Sequence, residues 1–313
     1  MNINIYFEFP YPDIDKVPYQ PIGTTTSHLH SAILLYKKLE ETYPSFQFNA
    51  IDSKQRFYDE KHGAPSAGNK FSHFYVIIEN PNTKKYFCIS YWDKLRGIFD
   101  NAPDWDLENM VELFACCGIQ ANEVDYKPCP YIKYTPVSNM CLHITAHQRI
   151  EQVRHLPKSI PTHLKFKGGD YDFRSHVYRD GRIAIDNDRV PQDVFIDGIA
   201  TDSIIIDINA ASEISHRTFD AFGLGACLIR PQLSIQYHTP LIPNEHYMAL
   251  DCTDLGDWDG VIDSYFAKFD ECKQRPDYVE HVGRQGRKWY EQNATPEAHA
   301  DLLFKLLNFE KLL

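Results

Sequence analysis

The apolar residues of this chain switch repeatedly between a two-residue period and a three-to-four-residue period, and that switching predicts its elements. Residues 2–9 alternate as a strand does. After a proline-rich loop, residues 24–43 carry Leu29, Ile33, Leu34 and Leu39 at helical spacing, behind a run of Thr and Ser able to cap a helix. Strands are predicted at 46–51, 71–79, 85–90, 111–117 and 131–134, with a turn at 80–83 and a loop containing a short helix at 54–69. A helix at 147–156 then runs into the proline-bounded stretch 157–161.

A second series begins there. A strand at 162–167 meets a Gly-Gly turn, a helix is predicted at 171–179, and strands at 193–196 and 203–207. Three helices follow at 258–273, 276–292 and 296–312. Strands alternating with helices predict an α/β fold, and 313 residues exceed one typical domain. The expected division is 1–157, an α/β domain on the acceptor side; 158–295, a second α/β domain; and 296–313, a Leu-rich helix returning to the first.

Composition narrows the picture. A hydrophobic share of 43% with 13% aromatics suits a buried core. A net charge of -11 argues against non-specific binding to nucleic acid or an anionic membrane. No stretch approaches about 18 uninterrupted apolar residues, so no transmembrane helix is expected, and the N-terminus reads as a strand and not a signal peptide. The eight cysteines include no Cys-x-x-Cys pair and read as reduced, buried thiols of a cytoplasmic protein without a zinc site.

Residues 203–251 hold the most chemistry. An apolar run ends at Asp207; Ser215, His216 and Arg217 open a helix; Gly223 and Gly225 close it; a second apolar run, 226–229, ends at Arg230-Pro231. Helix N-termini attract phosphate through free backbone N–H groups and the helix dipole. An arginine adds a forked, charge-assisted contact. Arg217 and Asp220, three apart, share a helix face, where a carboxylate can accept hydrogen bonds from a ribose diol. The unit reads as a cradle for a nucleotide diphosphate. Lys167, Gly168 and Gly169 end a strand where backbone N–H groups can approach a phosphate, with Arg174 in support. Solvated surface positions are the alternative for both cations.

Arg217-x-x-Asp220, the glycine turn after it and the further strand resemble the donor-binding segment of GT-B glycosyltransferases, where Arg-x-x-Glu is commoner. Asp220 shortens that reach by one methylene. Glu245, His246 and Tyr247, followed by Asp251 and an amphipathic helix, are similar to the protein O-glucosyltransferase and capsule-associated xylosyltransferase-like group; the likeness covers roughly residues 160–310. The resemblance implies two Rossmann-like domains facing across a cleft and a last helix crossing back to the first. It also implies metal-independent transfer from a nucleotide-diphosphate sugar, UDP-sugar foremost. Ser215, His216 and the 245–247 stretch would line the donor site, with no cofactor beyond the co-substrate.

Such transfer needs a base for the acceptor hydroxyl, expected at a strand's carboxyl end in the first domain. Asp93, beside Tyr91 and Trp92, is the first candidate; Asp52, ending a strand, and His28, opening the first helix, are the others. Helix capping or solvation is the plainer role for each. The acceptor could be a glycan, a lipid-linked sugar, a protein or a modified base, and inverting displacement is favoured. A nucleotide-sugar-processing enzyme such as an epimerase, or a non-catalytic carbohydrate-binding protein, is the alternative on the same fold.

Overall fold

The computed structural model describes residues 1–7, 25–53, 58–59, 64–65, 75–91, 107–116, 132–137, 144–167, 180–186, 191–208, 214–252 and 256–313. The side chains at 25–29, 58–59, 64–65, 144–145, 165–167, 184–186 and 192 lie outside the description. Among these residues the longer helices are α1 (Thr25–Thr42), α2 (Ile144–Val153), α3 (Gln192–Ile199), α4 (His216–Leu224), α5 (Trp258–Gln274), α6 (Pro276–Asn293) and α7 (Pro296–Leu306). The protein is of the α/β class, and its chain divides into two compact units. One comprises Met1–Met140, Gln236–Thr239 and Pro296–Leu313; the other comprises Cys141–Ile235 and Pro240–Thr295.

The first unit is built on a six-stranded sheet of β1 (Asn2–Phe7), β2 (Gln47–Asp52), β5 (Tyr75–Glu79), β6 (Tyr86–Ser90), β7 (Met110–Ala115) and β8 (Lys133–Pro136), in the order β2-β1-β5-β6-β7-β8. The remaining strands, β3 (Tyr58–Asp59) and β4 (Ala64–Pro65), pair antiparallel with each other. All neighbours in the large sheet are parallel except β5, which opposes both β1 and β6. A tight turn reverses the chain between β5 and β6. Asn80 accepts from the Asn82 amide at 3.0 Å, and Lys84 takes a left-handed backbone with φ 64°.

Alternating side chains of this sheet feed two cores. Ile3, Ile5, Val76, Ile78, Phe87 and Ile89 meet α1 and α7 through Leu35, Leu39, Ala300 and Leu303. Tyr6, Tyr75, Ile77, Tyr86, Cys88 and Leu113 fill the opposite face. Strands covered on both faces carry continuous apolar runs, as 75–78 and 86–89 do. The tail is clasped to this unit: Asn80 Nδ2 and Thr83 Oγ1 donate to the Leu312 carbonyl at 3.0 and 2.7 Å, and Lys311 pairs with Glu112 at 2.5 Å.

Among the described residues, the strand pairs of the second unit are all parallel. The strand β9 (Lys165–Lys167) pairs with β10 (Ala184–Asp186), and β11 (Ile204–Ile206), β12 (Cys227–Arg230) and β13 (Met248–Ala249) form a three-stranded sheet in that order. The helix α4 connects β11 to β12. Gly225 ends it in the left-handed conformation, φ 71°, which glycine adopts without steric cost. The α6 helix packs closely where it carries glycine: a Cβ at Gly283 would collide with the Gly225 carbonyl, and one at Gly286 would lie 2.8 Å from the His246 carbonyl.

Two expectations differ from what forms. Residues 193–196 are helical, inside α3, and not a strand. Pro191 precedes the first turn, Asp193 complements its dipole, and Phe195, Ile196 and Ile199 bury one helical stripe. A short apolar run such as Val194-Phe195-Ile196 has no period of its own to tell strand from helix. Within 54–69 the described residues pair as β3 and β4, with no helix among them. The first boundary between the units falls at Met140–Cys141, and α2 packs on α3 and α4, with Ile150 against Gly223. The helix expected at 171–179 lies outside the described residues.

Candidate functional site

The carboxyl ends of β11 and β12 converge on one carboxylate, Asp207, which follows directly after Ile206 and is completely buried. Ser215, the N-cap of α4, donates to it, with Oγ at 2.9 and 2.8 Å from the two oxygens, while accepting from the Arg217 amide at 3.2 Å. Arg217 Nε donates to Oδ1 at 3.0 Å and Thr218 Oγ1 to Oδ2 at 2.8 Å. Arg230, ending β12, reaches Oδ2 at 3.4 Å and Thr218 Oγ1 at 2.6 Å. From α5, the Tyr265 hydroxyl donates to the Asp207 backbone carbonyl at 2.5 Å.

The local sequence explains the convergence. An isoleucine strand carries Asp207 to its end, the serine cap stops the incoming loop, and the first turn of α4 aims Arg217 and Thr218 back at the strand. Burial by itself raises the Asp207 pKa, but Arg217, Arg230, Thr218 and Ser215 outweigh it and hold the carboxyl below its usual range. Burial, and the nearby Asp207 charge, push the Tyr265 phenol well up, so it stays a neutral donor. The result fixes the amino end of α4, with its positive dipole, beside the ends of two parallel strands. Ligands of open parallel sheets bind at that edge.

Arg217 lies inside this network and is 6% exposed. His216, next to it at the first position of α4, is exposed. Asp220 is buried completely, so a ribose reaches its carboxylate only if its surroundings shift. That follows from helix geometry: Asp220 shares its face with Arg217, and that face turns inward. Ser215, His216, Arg217 and Asp220 are thus gathered on one helix, of which His216 offers the exposed side chain.

The 245–247 stretch builds the approach to β13. Tyr247 is fully buried, and its hydroxyl accepts from the Leu233 amide at 3.1 Å. His246 Nδ1 accepts from the Ile242 amide at 2.9 Å, and burial lowers its pKa against the opposing pull of Glu245. Asn244 turns the chain with φ 61° and accepts from the Ala249 amide at 3.3 Å. Glu245 points to solvent, with 48% of its side chain exposed.

In the first unit Asp52 closes β2, half-buried, in register with Phe7 of β1. Asp93, Gly168, Gly169 and Arg174 lie outside the described residues, as do the side chains of His28 and Lys167, which stand in α1 and at the end of β9. Sequence reasoning missed Asp207, Thr218 and Arg230 as a set. The available signal was an acid directly after Ile-Ile-Ile and an arginine closing the next apolar run. Among the described residues no group of three His, Cys, Asp or Glu is placed to hold a metal ion. No helix among them is long and apolar enough to cross a membrane.

No known protein family matches the sequence, and no curated protein matches it. Among solved structures the chain is similar to sucrose-phosphate synthase from Thermosynechococcus elongatus, with 11% identity, TM-score 0.38, and coverage of 85% of this chain and 69% of that one. A glycosyltransferase from Rickettsia africae ESF-5 matches at 12% identity and TM-score 0.37, covering 94% and 83%. A GtfA/B complex matches at 11% and 0.35, covering 86% and 54%. At these values the site rests on the chain's own geometry.

Proposed function

We propose that the protein is a glycosyltransferase of the GT-B type, taking its sugar from a nucleotide diphosphate, UDP-sugar foremost, without a metal. The observation that carries this reading is the amino end of α4, fixed by Ser215 and Asp207 beside the carboxyl ends of β11 and β12. In this reading the diphosphate lies at that helix terminus, with His216 in reach and the Lys167–Gly169 turn and Arg174 in support. Arg217, clamped by Asp207, lends its charge from below and holds the first turn in place. The bond from the anomeric carbon to the diphosphate oxygen breaks as the acceptor oxygen attacks from the opposite side. A base drawn from Asp93, Asp52 or His28 takes the acceptor's proton. The acceptor is a glycan, lipid-linked sugar, protein or modified base, and the setting is the cytoplasm.

Thermal-shift screening against UDP-, GDP-, ADP-, CMP- and dTDP-sugars tests the reading: one nucleotide class stabilises the protein by mass action. Stabilisation by none of them rejects it. Calorimetry on His216→Ala and on a folded Arg217→Ala then locates the anion. The arginine variant loses more than about tenfold in affinity, about 1.4 kcal/mol. Unchanged affinity in both moves the diphosphate away from α4.

A further inference from the structure

At the amino ends of β12 and β13 lies a group of residues that the donor reading does not use. Cys227 opens β12 and Met248 opens β13, and because Met248 pairs with Ile229, two residues beyond Cys227, both side chains stand on one face. Cys272, from the last turns of α5, descends onto that face. Its Sγ lies 3.2 Å from Met248 Sδ, and Cys227 packs in the same buried cluster. All three residues are buried to about the same degree, within 1% exposure. Leu250, Val261, Val279 and Val282 belong to the same buried cluster and add no oxygen or nitrogen side-chain donors to it. Three elements distant in sequence therefore bring two thiols and a thioether to one point.

We propose that Cys227, Cys272 and Met248 form a binding site for a soft monovalent cation, copper(I) in chemical class. An all-sulfur set that includes a thioether selects soft, electron-rich ions over zinc, magnesium or calcium, which take nitrogen, oxygen or purely thiolate ligands. Three donors suit a monovalent ion of low coordination number. Coordination converts thiol to thiolate and releases the proton to solvent. Cys252, partly exposed, packs against the same cluster and adds a further sulfur at its edge. The site is independent of sugar-nucleotide binding.

The test is anaerobic titration of the reduced protein with copper(I) against a chromophoric copper(I) chelator, followed by X-ray absorption of the loaded protein. The wild type is expected to retain one tightly held equivalent in a sulfur-only shell, and Cys272→Ser to lose it. Met248→Leu conserves volume and both thiols, and is expected to weaken that equivalent at least tenfold. Retention of the same equivalent by both variants would mean that copper sits on other thiols, and would overturn the proposal, as would a shell containing nitrogen or oxygen. Should Cys272→Ser fail to fold, Met248→Leu decides alone: unchanged affinity sinks the site.

Discussion

Each unit buries a carboxylate completely at its sheet, Asp207 just past the end of β11 and Glu112 within β7, and the two are held in opposite ways. Asp207, in the second unit, is gripped by Arg217 and Arg230, whose side chains are 8% and 0% exposed. Glu112, in the first, is reached by Lys133 and Lys311, whose side chains are 59% and 36% exposed, and by Thr135 at 2.6 Å. Lysine lays its stem along the protein and keeps its ammonium in water. An enclosed guanidinium has no water to fall back on. Glu112 is therefore a strap that solvent can loosen, whereas Asp207 is a dry joint between partners that are themselves buried.

The contrast breaks most sharply if Asp207 is removed. Asp207→Ala removes the carboxylate that two buried guanidiniums share and is expected to cost about 3–5 kcal/mol of stability by chemical denaturation; a loss near that of a surface mutation would refute the dry-joint description. Glu112→Gln keeps the shape and lets both lysines return to water, so about 1–2 kcal/mol is expected in the same assay. A steric control comes next in size: Gly283→Ala, pressed on the Gly225 carbonyl, loses about 1–2 kcal/mol despite the better helix propensity of alanine.

Acid offers a milder probe. Burial raises both carboxyl pKa values, yet their partners outweigh it, so both fall below the ordinary range. Groups with depressed folded-state pKa values contribute stability that is complete above about pH 4 and lost as pH falls through the folded value. Each single variant, Asp207→Asn or Glu112→Gln, is expected to flatten the acid limb of the stability curve; unchanged acid sensitivity in both excludes this linkage. The smallest effect is salt. Raising ionic strength toward about 1 M shortens the screening length to about 3 Å, and should weaken the Glu112 clasp by a few tenths of a kcal/mol while sparing Asp207. Comparing salt dependence in Lys311→Ala and wild type reads this out.

The strand-helix-strand unit around α4 was legible because its signals are local: an isoleucine run, a serine cap, a glycine at the helix end. The carboxylate joining its parts was not, since Asp207 meets residues ten and twenty-three positions away, and only sheet register brings them together. Tyr247 enters the donor-site set through the family resemblance, and its hydroxyl accepts from the Leu233 amide. Val194-Phe195-Ile196 was misread because β-branched and aromatic residues favour strands unless a helical stripe and a start signal override them. Asp93 and the Gly168-Gly169 turn keep the standing that the sequence alone lends them.

The fastening of residues 309–312 to Asn80, Thr83 and Glu112 has a bearing on biosynthesis. The ribosome makes the opening portion of the first unit, then all of the second, before supplying the helix and tail that complete the earlier core. A nascent chain must hold an unfinished apolar surface for the duration, because the second unit is complete in sequence before the first, and a frameshift near residue 295 would damage the portion translated first.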